Sequence, residues 1–119
     1  VALEFQPNVA AALLREIVVS MVRRDDPGLS VHQLAVFLSC YLGDGEQTVR
    51  DLAQEMGASK ASVTRAFDKL VERGLLSRET DKIDGRTVYA GQTEAGAALL
   101  AEFGDVAGAF IKETDARAA

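Results

Sequence analysis

Between Ser59 and Arg65 the chain places two cations and three hydroxyl groups on one short stretch: Ser59, Lys60, Ser62, Thr64 and Arg65, with the small Ala61 among them. Small and hydroxylated side chains allow close approach to the edges of bases, and an arginine among them can reach guanine or a phosphate. Arg50, Lys69, Arg78, Lys82 and Arg86 lie before and after this stretch. Isolated cations of this kind suit phosphate oxygens, which fix a protein's register on a duplex. Asp68 and Glu72 work against such a role, because carboxylates on the same helix face repel phosphate. The reading surface is therefore confined to the first two turns of that helix. The plainer account of the same cations is a solvated helix and hairpin face.

Other chemistries find less support. No Ser-His-Asp set, glycine-rich phosphate loop or paired metal motif is evident, so the residues do not suggest an enzyme, and no cofactor is expected. Cys40 is the only cysteine, which excludes an internal disulfide framework and a multi-cysteine zinc site. It has no basic neighbour in sequence to lower its pKa and lies with Val36 and Phe37, so a buried thiol is expected rather than a redox sensor. His32 is the only histidine and has no ligand spacing around it, which makes it a surface residue.

The elements that position these residues occupy 119 residues, 48% of them apolar, enough for one domain spanning 1–119 with a core of its own. Thirteen Lys and Arg against eighteen Asp and Glu give a net charge of −5. That total argues against coating nucleic acid through bulk charge. The acidity is unevenly distributed: residues 48–92 hold eight Lys and Arg and seven Asp and Glu, a net of +1, against −6 elsewhere. A local basic tip outweighs distant acidity, because charges beyond a Debye length of about 8 Å are largely screened. Apolar runs such as Leu34–Leu38 fall far short of the roughly 18 residues a membrane span needs. With no basic-then-apolar leader at the N-terminus, a cytoplasmic location is expected.

Helical periodicity comes first. Asn8 caps a helix over 8–24 with Val9, Leu13, Ile17 and Met21 at one-turn spacing, broken by Asp25-Asp26-Pro27-Gly28. Ser30 and Gln33 form a capping-box pair ahead of a helix apolar on both sides, Val31, Leu34, Ala35, Leu38 and Leu42 on one and Val36, Phe37 and Cys40 on the other. Thr48 and Asp51 repeat the cap spacing before Val49, Leu52, Ala53 and Met56, and Gly57 ends that short helix. Ser59 opens a helix over 59–73 with Val63, Phe67, Leu70 and Val71 toward the core and Gly74 at its end. The period then alternates: Leu76–Thr80 and Thr87–Ala90 read as strands about an Asp84-Gly85 turn. Thr93 caps a last helix over 93–113, with Leu99, Phe103, Val106 and Phe110 on one stripe. The fold class is mainly α with a small β-hairpin wing, a winged helix-turn-helix. Within 48–92 two short helices joined by a tight glycine turn precede the hairpin, the arrangement that presents the second helix to a major groove. The first and last helices are the natural dimer elements, with Leu13, Ile17, Leu99, Phe103, Val106 and Phe110 as the expected interface.

The run from Thr48 to Arg78 resembles the MarR family of winged-helix transcription regulators. Its Leu52-Ala53, Ser59-Lys60, Val63-Thr64-Arg65, Asp68, Leu70, Arg73-Gly74-Leu75 and Arg78 match that family's pattern. Asp84-Gly85-Arg86 sits where the family carries its wing Asp-Arg-Arg, Gln92–Gly96 resembles the start of its following helix, and Ser30–Gln33 the start of its second. The resemblance implies a homodimer on a pseudo-palindromic duplex. It also implies base contacts from Ser59, Lys60, Ser62, Thr64 and Arg65, and a minor-groove contact from Arg86 held by Asp84. A small aromatic or phenolic effector is a further implication. Gly85 replaces a cation, which weakens the expected wing contact, and the region after Phe110 is short against the family's dimerisation region. The competing expectation, from the acidic total and from Asp68 and Glu72, is a winged helix that binds protein as an adaptor or anti-regulator.

Overall fold

The computed structural model describes residues 6–24 and 28–118. Elements follow in the order α1 (Pro7–Arg23), α2 (Val31–Leu42), α3 (Val49–Met56), α4 (Lys60–Glu72), β1 (Leu76–Thr80), β2 (Val88–Gln92) and α5 (Glu94–Ala118). The expected five helices and one hairpin are all present. Two compact units divide the chain, residues 29–100 and residues 1–28 with 101–119.

The unit of residues 29–100 is organised by local caps and one long-range hub. Ser30 Oγ accepts from the Gln33 N–H while Gln33 returns its side-chain oxygen to the Ser30 N–H, and Thr48 and Asp51 do the same at α3. Val36, Phe37 and Cys40 of α2, Leu52 and Ala53 of α3, and Val63, Ala66, Phe67 and Leu70 of α4 are buried. The second expected face of α2 is less buried: Leu34, Ala35 and Leu38 are half-buried, and Val31 and Leu42, at the helix ends, are exposed. Behind them, the Phe37 and Tyr41 rings meet at 4.7 Å. The Tyr41 hydroxyl donates to the Leu75 carbonyl (2.8 Å) and accepts from the Thr93 N–H (3.0 Å). Thr93 in turn caps α5 by accepting from the Gly96 N–H and donates to the Gly74 carbonyl. A Cβ at Gly96 would collide with the Tyr41 hydroxyl and the Leu75 carbonyl, so this crossing demands glycine.

The hairpin pairs β1 with β2 antiparallel, Leu76 opposite Gln92 and Thr80 opposite Val88. Gln47 bridges to Ala90, whose N–H donates to the Gln47 carbonyl at 2.8 Å. The second strand begins at Val88, one residue later than its alternation suggests, because Thr87 serves the turn: its N–H and hydroxyl both donate to Asp84.

In the other unit, α1 begins at Pro7, with Asn8 inside the helix and no side-chain cap. A proline in the first turn lacks only an N–H that would have no partner there, and its φ is already helical. Of the expected breaker, Asp25 to Pro27 lie outside the described residues. The C-terminal part of α5 runs past the expected end at 113, where Arg117 pairs with Glu113 one turn earlier. Arg24 forms an ion pair with Glu102, and a cavity of about 240 Å³ lies among Glu16, Ser20, Arg23, Val106, Ala109, Phe110 and Glu113.

Candidate nucleic-acid interface

Gly57, with φ of 62°, adopts the left-handed backbone that ends α3 and turns the chain into α4. Ser59 then caps α4, its hydroxyl accepting from the Ser62 N–H at 3.1 Å. The cap leaves Ser59, Lys60, Ala61, Thr64 and Arg65 exposed and Ser62 half-buried, while Val63, Ala66, Phe67 and Leu70 anchor the opposite side. The helix thus stands on its core side and offers its first two turns to solvent.

Those turns have two flanks. On one, Lys60, Thr64 and Asp68 line a cleft of about 680 Å³ with Arg50 of α3 and with Arg78, Arg86 and Val88 of the hairpin. On the other, Ser62, Arg65 and Lys69 line a smaller cavity of about 260 Å³ with Ser30, His32 and Gln33 at the start of α2. Cations expected from distant parts of the sequence therefore meet in two groups beside the same helix. His32 is exposed, as expected, but its place beside Arg65 and Lys69 was not legible from its lone occurrence.

The two carboxylates expected to repel phosphate are both engaged. Asp68 pairs with Arg78 at 2.6 Å and Glu72 with Lys69 at 3.4 Å. Arg78 also lies 5.6 Å from the centroid of the Phe67 ring. These contacts lessen the repulsion and occupy two of the cations assigned to phosphate. Arg50, Lys60, Arg65, Lys82 and Arg86 have no ion-pair partner among the described residues.

At the hairpin turn, Asp81 Oδ1 accepts from the N–H groups of Ile83 (2.8 Å) and Asp84 (3.0 Å), and Tyr89 donates its hydroxyl to Oδ2 (3.1 Å). The backbone bond from Asp84, then that from Ile83, then Tyr89 hold the Asp81 carboxyl below its ordinary range. The bond to Asp81 raises the Tyr89 hydroxyl. Asp84 accepts from the backbone N–H of Arg86 at 3.1 Å, so it fixes the chain at Arg86 rather than its guanidinium. At α3, the backbone and then the hydroxyl of Thr48 lower Asp51.

Cys40 is buried, and loss of hydration raises its thiol to about 11. Among the expected interface residues, Leu99 and Phe103 are each only 7% exposed within one chain. They therefore retain little surface for a second subunit. Leu13, Ile17, Val106 and Phe110 are half-buried. The more exposed apolar stripe on α1 is Leu14, Val18 and Val22, spaced four apart and offset by one residue from the expected Leu13 and Ile17.

A sequence profile described as the MarR family matches residues 28–87. No curated protein sequence matches the chain. Among solved structures, the transcriptional regulator Tm0710 from Thermotoga maritima is similar at 19% identity and a TM-score of 0.79, over 94% of this chain and 76% of that one. CouR from Rhodococcus jostii RHA1, bound to p-coumaroyl-CoA, is 24% identical with a TM-score of 0.61, over 87% of this chain and 70% of its own. BpsR from Bordetella bronchiseptica, whose DNA binding is regulated by 6-hydroxynicotinic acid, is 23% identical with a TM-score of 0.60, over 90% and 80%.

Proposed function

The chain belongs to the MarR family of DNA-binding transcriptional regulators, and from that premise we propose that it reads a specific duplex as a homodimer and catalyses no reaction. The observation that carries this reading is the exposed tip of α4, flanked on both sides by cations, of which Arg50, Lys60 and Arg86 on one side and Arg65 on the other have no carboxylate partner among the described residues. Ser59, Lys60, Ala61, Ser62, Thr64 and Arg65 meet base edges in the major groove, with the α4 N-terminal N–H groups toward phosphate. Arg50, Lys82 and Arg86 hold the backbone on either side, and Lys69 and Arg78 add to that field while steadying their own carboxylates.

Two recognition helices on one face of a duplex stand roughly 34 Å apart, one helical turn. The second copy is met through Leu14, Val18 and Val22 of α1 together with Leu13, Ile17, Val106 and Phe110. A cytoplasmic location fits this role, and no helix among the described residues is long and apolar enough to cross a membrane. Two proteins of similar fold suggest an effector class by analogy: CouR is bound to p-coumaroyl-CoA, and 6-hydroxynicotinic acid regulates BpsR. A small aromatic acid or its thioester is the corresponding candidate here.

Selection of bound fragments from a random duplex pool, followed by a salt titration, tests the reading. A DNA binder enriches one motif, and the logarithm of its affinity falls linearly with the logarithm of salt, by about 0.9 per phosphate neutralised. The second reading, a protein-binding winged helix, is favoured by the Asp68–Arg78 and Lys69–Glu72 pairs, which reduce the free positive charge. No enrichment and no shift at low salt would select it.

A further inference from the structure

The hairpin tip carries a side chain that neither the core nor the charge pattern explains. Ile83 is 100% exposed, in a turn otherwise built from Asp81, Lys82, Asp84, Gly85 and Arg86. A large aliphatic side chain placed wholly in water contributes none of the burial free energy that favours its kind in a fold. The turn nevertheless holds it in place. Asp81 accepts from the N–H groups of Ile83 and Asp84, Tyr89 fixes the remaining Asp81 oxygen, and Asp84 ties down Arg86 and Thr87. Both carboxylates of the tip are engaged by donors within the hairpin. What remains free to meet a partner is an isoleucine between two unpaired cations, Lys82 and Arg86.

This chemistry matches one surface of a duplex. A minor groove has phosphates along both rims for the cations, and sugar walls and a recessed floor for an apolar group. Its floor also differs between base pairs: A·T presents only acceptors, whereas G·C adds the guanine N2 amino group. An isoleucine over that amino group meets a raised floor and buries a donor with no partner.

Resting on the reading of the hairpin as a DNA-binding wing, we propose that Ile83 seats in the minor groove between Lys82 and Arg86. There it selects A·T pairs beneath the wing tip. Specificity at the flanks of the site then comes from an apolar contact, and the cations beside it supply affinity without reading sequence.

The test uses the whole chain and a duplex enriched by it from a random pool, with the pairs beneath the wing located by hydroxyl-radical footprinting. Three versions are compared: A·T, G·C and inosine·C, the last lacking the minor-groove amino group while keeping the major-groove edge of guanine. Wild type is expected to bind the G·C version about fivefold or more weakly and to recover on inosine·C. Ile83→Ser, at a position that touches no core, should melt as wild type does, keep the same salt slope, and bind all three versions alike. Equal binding of wild type to G·C and inosine·C, or discrimination that survives in Ile83→Ser, would overturn the inference while leaving the regulator reading intact. Failure to enrich any duplex would overturn the regulator reading, and the inference with it.

Discussion

Arg78 reaches across from β1 to place its guanidinium 2.6 Å from the Asp68 carboxylate of α4, with the Phe67 ring beneath it. The pair joins the hairpin to the recognition helix and at the same time cancels a charge that would face phosphate. Both side chains are about half exposed, so the pair itself is worth about 0.2–1 kcal/mol of stability. Its larger consequence is electrostatic. Asp68→Asn should leave the fold nearly as stable, free Arg78 for phosphate, and strengthen DNA binding with a steeper salt slope, by about 0.9 for each new phosphate contact. Fluorescence anisotropy across a salt series reads both quantities.

The Tyr41 hydroxyl is the junction of α2, the segment before β1 and the start of α5. Tyr41→Phe leaves the Leu75 carbonyl and the Thr93 N–H without that partner, a loss of about 1–3 kcal/mol. Gly96→Ala drives a methyl into the same hydroxyl and the Leu75 carbonyl and should cost about as much or more. Urea denaturation of both variants checks these values, and adding Tyr41→Phe to Gly96→Ala should recover part of the loss by making room.

Cys40 gives a pH signature with a definite sign. Burial raises its thiol to about 11 from an ordinary value near 9. Below about pH 9 the thiol is protonated in folded and unfolded chains alike, and its contribution to stability is constant. As pH climbs from about 9 to 11 the unfolded chain ionises first, so stability falls over that window. Cys40→Ala should flatten the alkaline slope in a series of denaturation curves. At pH 8 a thiol reagent should label the unfolded chain quickly and the native one slowly.

Leu14, Val18 and Val22 form an apolar stripe along the surface of α1, 43–78% exposed. Such a stripe at one-turn spacing is the surface through which the proposed dimer associates. Val18→Glu should convert a dimer into monomers by analytical ultracentrifugation while preserving the helical circular dichroism spectrum. It should also reduce affinity for a two-half-site duplex far more than for a single half-site.

The parts of this fold that were legible in the sequence are those decided within a few residues. The Ser30–Gln33 and Thr48–Asp51 boxes, the Ser59 cap and the Gly57 turn each rest on groups one helical turn apart or closer, and all form. Asn8 failed as a cap because the neighbouring Pro7 already suits a first helical turn. Contacts between distant residues left no local mark. Tyr41 meets residues 34 and 52 positions away, and Asp68 meets a cation ten positions on, across a turn. On α1, apolar residues occur on several sides, so spacing alone favoured Leu13 and Ile17 over the more exposed Leu14 and Val18. For the candidate site, residue types at the tip of α4 were readable, whereas the division of the cations into paired and unpaired sets required the fold.

In the proposed complex the Lys60–Arg65 corner of α4 enters the major groove of a specific duplex. Its most direct measurement is the affinity of wild type and Arg65→Ala for a selected duplex and for random DNA at fixed salt. Arg65→Ala is expected to lose about 1–3 kcal/mol on the selected duplex and much less on random DNA, so that discrimination narrows. Equal affinity of the two proteins for the selected duplex, or the same loss on both DNAs, would contradict a base-reading role for this corner.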